Sequence, residues 1–197
     1  RQVLKTIGRK HTAQQFFDAF ELARKCGFDN INTDLIAGLP TDTPESFKNS
    51  LDSIVRLNAE CITVHTLCMK RASRLTTEGV TLDLQQARDA REMLAYTQNI
   101  LGQNEYIPYY MYRQSRMVGN LENVGWSKRG FESLYNVYVM DETHTILACG
   151  SGGVTKLKRN NPDYLERIFN FKYPYEYIDR FDELIQRKSG IMQFYGQ

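Results

Sequence analysis

The chain has 197 residues, a mass of 22.9 kDa and 25 Lys plus Arg against 23 Asp plus Glu, a net charge of +2. A chain of that length buries roughly 70% of its unfolded surface and needs no disulfide or metal staple to fold. With 42% apolar and 24% charged residues, wholesale disorder is excluded. The near-zero charge argues against a dedicated nucleic-acid binder, and no apolar run approaches the ~18 residues of a membrane span.

The first 70 residues alternate helix and strand patterns. Thr12-Ala13-Gln14-Gln15 is a capping box that opens a helix with Phe16, Phe20 and Ala23 at helical spacing, closed by Arg24, Lys25 and Gly27. Asn30 to Ala37 is a period-2 strand ending in the sharp turn Gly38-Leu39-Pro40. Thr43-Pro44 opens a second helix with a hydroxyl cap and Pro at the first position, and Phe47, Leu51, Ile54 and Val55 form its buried stripe. Cys61 to Cys68 is the next strand. Strand, helix and strand at this spacing predict a βαβ unit with parallel strands and a right-handed crossover.

A long helix follows, capped by Asp83 with Gln86 at the third position. Leu84, Ala87, Ala90, Leu94 and Leu101 lie on its inner face and Gly102 at its end. Tyr106 to Tyr112 is an aromatic strand whose Pro108 assigns it to a sheet edge or a strand start. A long loop is expected from Arg113 to about Gly130. Leu134–Met140 and Thr145–Cys149 read as a hairpin around 141–143, Gly150-Ser151-Gly152-Gly153 as a glycine turn, and 163–169 and 175–188 as closing helices. A soft boundary near 103–112 divides the chain into residues 1–105 and 106–197.

The strand from Asn30 carries chemistry. Asn30, Asn32 and Asp34 share one face, with Ile31, Thr33 and Leu35 on the other; on the next strand Thr63 and His65 oppose Ile62 and Val64. A parallel strand covered on both sides is nearly all apolar, so a polar face fits a strand lining a cavity, as inside an open barrel. Asp34 then lies near the strand's carboxyl end, where α/β folds collect ligands. The competing reading is an ordinary amphipathic strand with one wet face, and His65 alone is more often a core histidine than a base. The glycine turn matches neither phosphate-loop spacing and reads equally as a structural turn. Arg113, Arg116, Lys128, Arg129, Lys156, Lys158 and Arg159 suit anionic carboxylates, or simply a solvated surface. Cys26, Cys61, Cys68 and Cys149 form no C-x-x-C pair and no cluster with His11, His65 or His144, so no self-contained zinc or iron–sulfur site is expected. Without a secretory signal they read as reduced structural thiols of a cytoplasmic protein. The residues themselves thus give part of an α/β barrel with a cavity-lining Asp and an appended α+β segment, and no reaction.

Two strings add a resemblance. Residues 4–12 (Leu-Lys-Thr-Ile-Gly-Arg-Lys-His-Thr) and 27–40, with Asp34-Leu35-Ile36-Ala37-Gly38-Leu39-Pro40, resemble the radical S-adenosylmethionine proteins of the oxygen-independent coproporphyrinogen III oxidase family. Val64-His65-Thr66-Leu67, Arg71-Ala72-Ser73, Met111-Tyr112-Arg113-Gln114 and Gly119-Asn120-Leu121-Glu122-Asn123-Val124-Gly125 look like its coproporphyrinogen dehydrogenase branch. The resemblance covers essentially the whole chain. It implies an α/β fold: the C-terminal part of a partial (β/α) radical barrel, then a smaller α+β C-terminal domain. Family members hold a [4Fe–4S] cluster on C-x-x-x-C-x-x-C and cleave S-adenosylmethionine to a radical that takes hydrogen from a propionate, which loses CO2 to become vinyl. That triad is absent here, and the chain opens on Arg1 rather than Met. The expectation is therefore the C-terminal portion of a longer protein, inactive alone, with neither cofactor site complete.

By the same resemblance Arg9 and Asp34 contact the cofactor through side chains, Cys68 through its backbone, and Gly153 and Val154 as a less secure backbone contact. Tyr112, Arg113 and Lys156 are the expected substrate residues, facing a porphyrinogen with its propionates. The parent would draw on a reducing electron donor. Close relatives of the family bind haem as chaperones or carriers without oxidase activity, and that alternative stands beside the oxidase.

Overall fold

Local signals set the first helices before any packing does. The computed structural model describes residues 2–68, 84–113, 117–160 and 163–196. A short α1 (Gln2–Thr6) precedes α2 (Ala13–Lys25). The capping box is formed: Thr12 Oγ1 accepts from the Gln15 N–H at 3.2 Å, and Gln15 Oε1 accepts from the Thr12 N–H at 2.9 Å. Helix α3 (Pro44–Arg56) has Pro at its start, and Thr43 Oγ1 accepts from the Ser46 N–H at 3.1 Å. It connects β1 (Asn32–Ala37) to β2 (Cys61–Thr66), which pair in parallel from Asn32↔Cys61 to Ala37↔Thr66. The expected βαβ unit is present.

Helix α4 (Leu84–Gln103) follows; the cap expected at Asp83 lies outside the described residues. Its buried stripe is Ala90, Met93, Thr97 and Leu101, whereas Leu84, expected inside, is exposed at the first turn. Strand β3 (Ile107–Tyr112) lies at the sheet edge, as Pro108 requires. The segment expected as one loop to Gly130 instead contains a single 3-10 turn (Val118–Asn120) and β4 (Asn123–Ser127). Strand β4 lies antiparallel between β2 and β3, giving the order β1-β2-β4-β3. Its short glycine-bearing sequence has little strand signal of its own; two flanking partners supply it. Behind the sheet, Phe47, Leu51, Ile62, Val64, Met93 and Leu101 form a core with each at most 2% exposed. Gly38, after β1, has φ 78°, and a Cβ there would meet the Ala90 Cβ at 3.2 Å, so glycine lets α4 close onto the strand end.

The chain divides into two compact units, Arg1–Glu132 and Ser133–Gln197. The division lies later than 105/106 because β3 and β4 are hydrogen-bonded into the first sheet. In the second unit, residues 134–141 are helix α5 (Leu134–Asp141), not a hairpin strand, and Ile146 makes only an isolated bridge to Lys156. The strand partner is elsewhere: β5 (Val154–Asn160) pairs antiparallel with β6 (Asp163–Phe169), the segment expected as a helix, from Val154↔Phe169 to Asn160↔Asp163. A full-length ladder with β5 overrides the weak helical pattern of 163–169. The last expected helix is broken at Arg180 (φ −114°, ψ 32°) into α6 (Pro174–Asp179) and α7 (Phe181–Lys188), followed by α8 (Gly190–Tyr195). Among the described residues no helix is long and apolar enough to cross a membrane.

One ion pair ties the first unit together. Arg24 on α2 reaches both Glu60 oxygens at 2.7 Å, and the Ile31 N–H donates to Glu60 Oε2 at 3.1 Å, fixing the entries to β1 and β2. Burial pushes the Glu60 carboxyl up, but the Ile31 N–H and Arg24 outweigh it and hold it below its ordinary value. A carboxylate lowered on folding stabilises fully above its unfolded value and loses that contribution as pH falls through the folded one. Glu60→Gln is expected to cost on the order of 1.5–3 kcal/mol at neutral pH. Urea unfolding from pH 7 to pH 3 should show the difference between the two proteins shrinking as the medium acidifies.

Candidate functional site

The face of the β1–β4 sheet opposite the core is polar across all four strands. Strand β1 presents Asn32 and Asp34, β2 presents Thr63 and His65, and β3 presents Tyr110 and Tyr112. Asn32 Nδ2 donates to Asp34 Oδ1 at 2.7 Å, and the Thr63 hydroxyl donates to Asn32 Oδ1 at 3.1 Å. Thr63 Oγ1 also lies 3.2 Å from the Tyr110 hydroxyl. His65 stands 3.7 Å from Asp34 Oδ2 through Nε2 and 3.3 Å from the Tyr112 hydroxyl through Nδ1. A register shift between Pro108 and Tyr110 adds Tyr109 as an extra residue, which sets Tyr110 opposite Gly125 and Tyr112 opposite Asn123. The rings of Tyr110 and Tyr112 lie within 10° of parallel with centroids 6.3 Å apart.

Asp34 is the anionic centre of this face. His65 beside it holds its carboxyl below the usual range, partial burial works against that, and Asn32 and Thr63 add to the lowering. The side chain is 59% exposed, so its outward lone pairs remain available. Burial pushes the Tyr110 phenol up, keeping it a neutral donor and acceptor. Asp34 is the third of six residues in β1, mid-strand rather than near its carboxyl end as expected.

The other expected site residues are placed as follows. Arg9 is exposed just after α1. Cys68 follows β2 and makes a backbone bridge with Met117. Arg113 directly follows β3 and pairs with Glu122 at 3.0 Å, an exposed guanidinium on a partly exposed carboxylate. In the second unit, the Gly153 N–H donates to Gly150 O and its carbonyl accepts from the Asn170 N–H at 3.0 Å; Val154 begins β5. Lys156 is committed to Glu142 at 2.7 Å and to the Val139 carbonyl at 3.2 Å. Asp34 and Tyr112 are thus brought to one face with His65 between them. Lys128 donates to Asn58, Lys158 pairs with Asp163, and Arg159 stacks 4.7 Å over the Phe194 ring; Arg116 lies outside the described residues.

The donor set fits S-adenosylmethionine in part: an ionised carboxylate flanked by an amide and a hydroxyl suits ribose hydroxyls or an ammonium group. It does not fit an iron–sulfur cluster. Among the described residues no three His, Cys, Asp or Glu side chains gather, and the thiols are scattered from exposed Cys26 to buried Cys61. Burial pushes the Cys61 thiol up, so it stays protonated.

Sequence reasoning missed Gly125. A Cβ there would fall 1.9 Å from Tyr110 Cε1, so only glycine lets the phenol lie flat on the sheet and reach Thr63. The signal was present, at the end of the string 119–125. Gly125→Ala is expected to destabilise by about 1–3 kcal/mol. In Tyr110→Ala the same substitution should cost little, a non-additivity that denaturant titration of the four proteins measures.

The chain is similar to several known proteins. The Radical SAM superfamily matches residues 1–54. The oxygen-independent coproporphyrinogen-III oxidase-like protein HemZ of Bacillus subtilis is 37% identical over 98% of this chain and 38% of its own length. The heme chaperone HemW of Lactococcus lactis is 32% identical over 81% of this chain and 40% of its own. In structure, coproporphyrinogen III oxidase (HemN) of Escherichia coli, described as a radical SAM enzyme, matches with a TM-score of 0.63 and 18% identity over 92% of this chain and 41% of that one. The chain therefore spans about two fifths of the length of these relatives, and its α/β sheet is the partial barrel expected. Its first 54 residues are thus similar to the radical SAM superfamily, and nearly its whole length is similar to an oxygen-independent coproporphyrinogen-III oxidase-like protein.

Proposed function

We propose that the polar face of the first sheet binds S-adenosylmethionine through Asp34, in a protein that converts propionates of a porphyrinogen to vinyl groups by oxidative decarboxylation. The observation that carries this is the ionised, half-exposed Asp34 on a hydrogen-bonded polar face whose reverse side is packed with hydrocarbon. Asp34 accepts from the cofactor's ribose hydroxyls or amino group, Arg9 offers a cation, and the backbone at Cys68 is a further contact. The bound cofactor supplies the hydrogen-abstracting radical, with a [4Fe–4S] cluster held by polypeptide outside these 197 residues and fed by a reducing electron donor. Tyr112 walls the substrate, and Arg113 pairs with one of its propionates. The Arg113–Glu122 pair is exposed, and pairs of that kind contribute about 0–1 kcal/mol, so the guanidinium exchanges readily onto a propionate. We place the protein in the cytoplasm on the family reading. The haem-carrier alternative is supported by the match to the chaperone from Lactococcus lactis.

In cluster-loaded full-length protein, Asp34→Ala should weaken S-adenosylmethionine binding on the order of 10- to 150-fold, the loss of a hydrogen bond to a charged group. Equilibrium binding under anaerobic conditions measures it; unchanged affinity in a folded variant removes Asp34 from the site. Vinyl product from coproporphyrinogen identifies the oxidase, whereas haem binding without turnover identifies the carrier.

Arg113→Glu in the same protein should raise the substrate Kd and leave S-adenosylmethionine binding intact. Titrating both ligands on that variant decides the point, since a surface charge would leave both constants in place.

A further inference from the structure

His65 stands between two strands that do not touch each other. Its Nε2 faces Asp34 Oδ2 on β1 at 3.7 Å, and its Nδ1 faces the Tyr112 hydroxyl on β3 at 3.3 Å. The two rings meet edge to face with centroids 6.4 Å apart. On its other side the carboxylate is held by Asn32 Nδ2 at 2.7 Å. The partner at one imidazole nitrogen fixes the proton at the other. A phenol that donates to Nδ1 leaves the ring proton on Nε2, the nitrogen aimed at Asp34.

We propose that His65 is a positioning residue for Asp34, held as its Nε2–H tautomer by the Tyr112 hydroxyl so that the carboxylate presents one outward lone pair on each oxygen to paired hydroxyl groups of a ligand. Each carboxylate oxygen has two acceptor sites. Asn32 takes one on Oδ1, and His65 takes one on Oδ2 once the 3.7 Å gap closes, which leaves an outward site on each oxygen for two neighbouring hydroxyls. The terminal torsion of Asp is broad, so the 3.7 Å separation closes by a small turn of the exposed carboxylate when the ligand seats. Without His65 that turn is unguided and the second ligand hydrogen bond is lost. His65 and Tyr112 exert this effect without touching the ligand. The inference rests on the reading of Asp34 as the acceptor of the cofactor's hydroxyls.

Nitrogen-15 NMR of the imidazole in this chain should show the Nε2–H tautomer, converting to a mixture in Tyr112→Phe. Carbon-13 titration of the Asp34 carboxyl should show a midpoint that rises in His65→Leu and returns towards wild type in His65→Gln, whose amide donates in place of Nε2–H. The other titratable group facing Asp34 is the Tyr110 phenol on β3. An Nδ1–H tautomer in the wild type, or an Asp34 midpoint indifferent to His65→Leu, overturns the positioning role. In loaded full-length protein, His65→Leu should then weaken S-adenosylmethionine binding about five- to tenfold, one hydrogen bond's worth, with recovery in His65→Gln. Equal affinity in His65→Leu also overturns it. Wild-type protein that passes both NMR tests and binds no S-adenosylmethionine instead removes the reading of Asp34, leaving the pair's geometry established.

Discussion

Strand β2 is hydrogen-bonded on both edges, in parallel to β1 and antiparallel to β4, and everything else in the first unit answers to that position. Side chains alternate along a strand, so its two faces are assigned together: Ile62 and Val64, fully buried, go to the helices, and Thr63 and His65 go to the opposite side. A slip of one residue would put a histidine and a threonine into the hydrocarbon core and two aliphatics on the polar face. The core side thus enforces the register that gathers the site. The polar side must in turn be satisfied, because a buried hydroxyl without a partner costs free energy. Thr63, only 1% exposed, has Asn32 on one neighbour strand and Tyr110 on the far one.

Charge at the two ends of this sheet is used differently. At the entry to β1 and β2, Glu60 is enclosed and answered by Arg24 and a backbone N–H, an arrangement that holds position. On the polar face, Asp34 is ionised, half exposed and answered only on its inner side, which leaves it able to accept from something else. Paired and enclosed carboxylates read as structure; an ionised carboxylate with outward lone pairs reads as a binding group. The same distinction separates Lys156, bound to a glutamate and a carbonyl, from Arg113, whose single exposed partner is easily exchanged.

The second unit solves a harder stability problem with different means. It has a two-stranded sheet, which alone is marginal, and few fully buried side chains. The Phe171 ring lies between the guanidinium groups of Arg180 and Arg187, 4.1 and 4.2 Å from their carbons, and Glu183 pairs with both arginines. Partly exposed cations over an aromatic face contribute about 0.5–1 kcal/mol each, which counts where hydrocarbon is scarce. Asn170 joins this to the glycine turn by donating to the Gly150 carbonyl at 2.7 Å. The amides of Gly150, Gly152 and Gly153 are each taken by a partner in the same unit, so the turn earns its glycines structurally.

What the sequence determined by itself was local or periodic. Thr12 and Gln15, Thr43 and Pro44 announced their helices because caps act within one turn, and the alternation around Asp34 and His65 announced a two-faced strand pair. The family strings added a radical S-adenosylmethionine barrel segment, which the similarity to known proteins bears out. Tertiary structure decided whatever depends on a distant partner. Strand β4 exists because β2 and β3 flank it; 163–169 is a strand because β5 offers it a ladder; 134–141 is a helix while β5 is paired elsewhere. The contact of Tyr112 with His65, and of the Tyr110 ring with Gly125, joins residues 47 and 15 positions apart. No pattern within a window of sequence encodes such a pairing, because the free energy that selects it comes from the whole sheet closing at once.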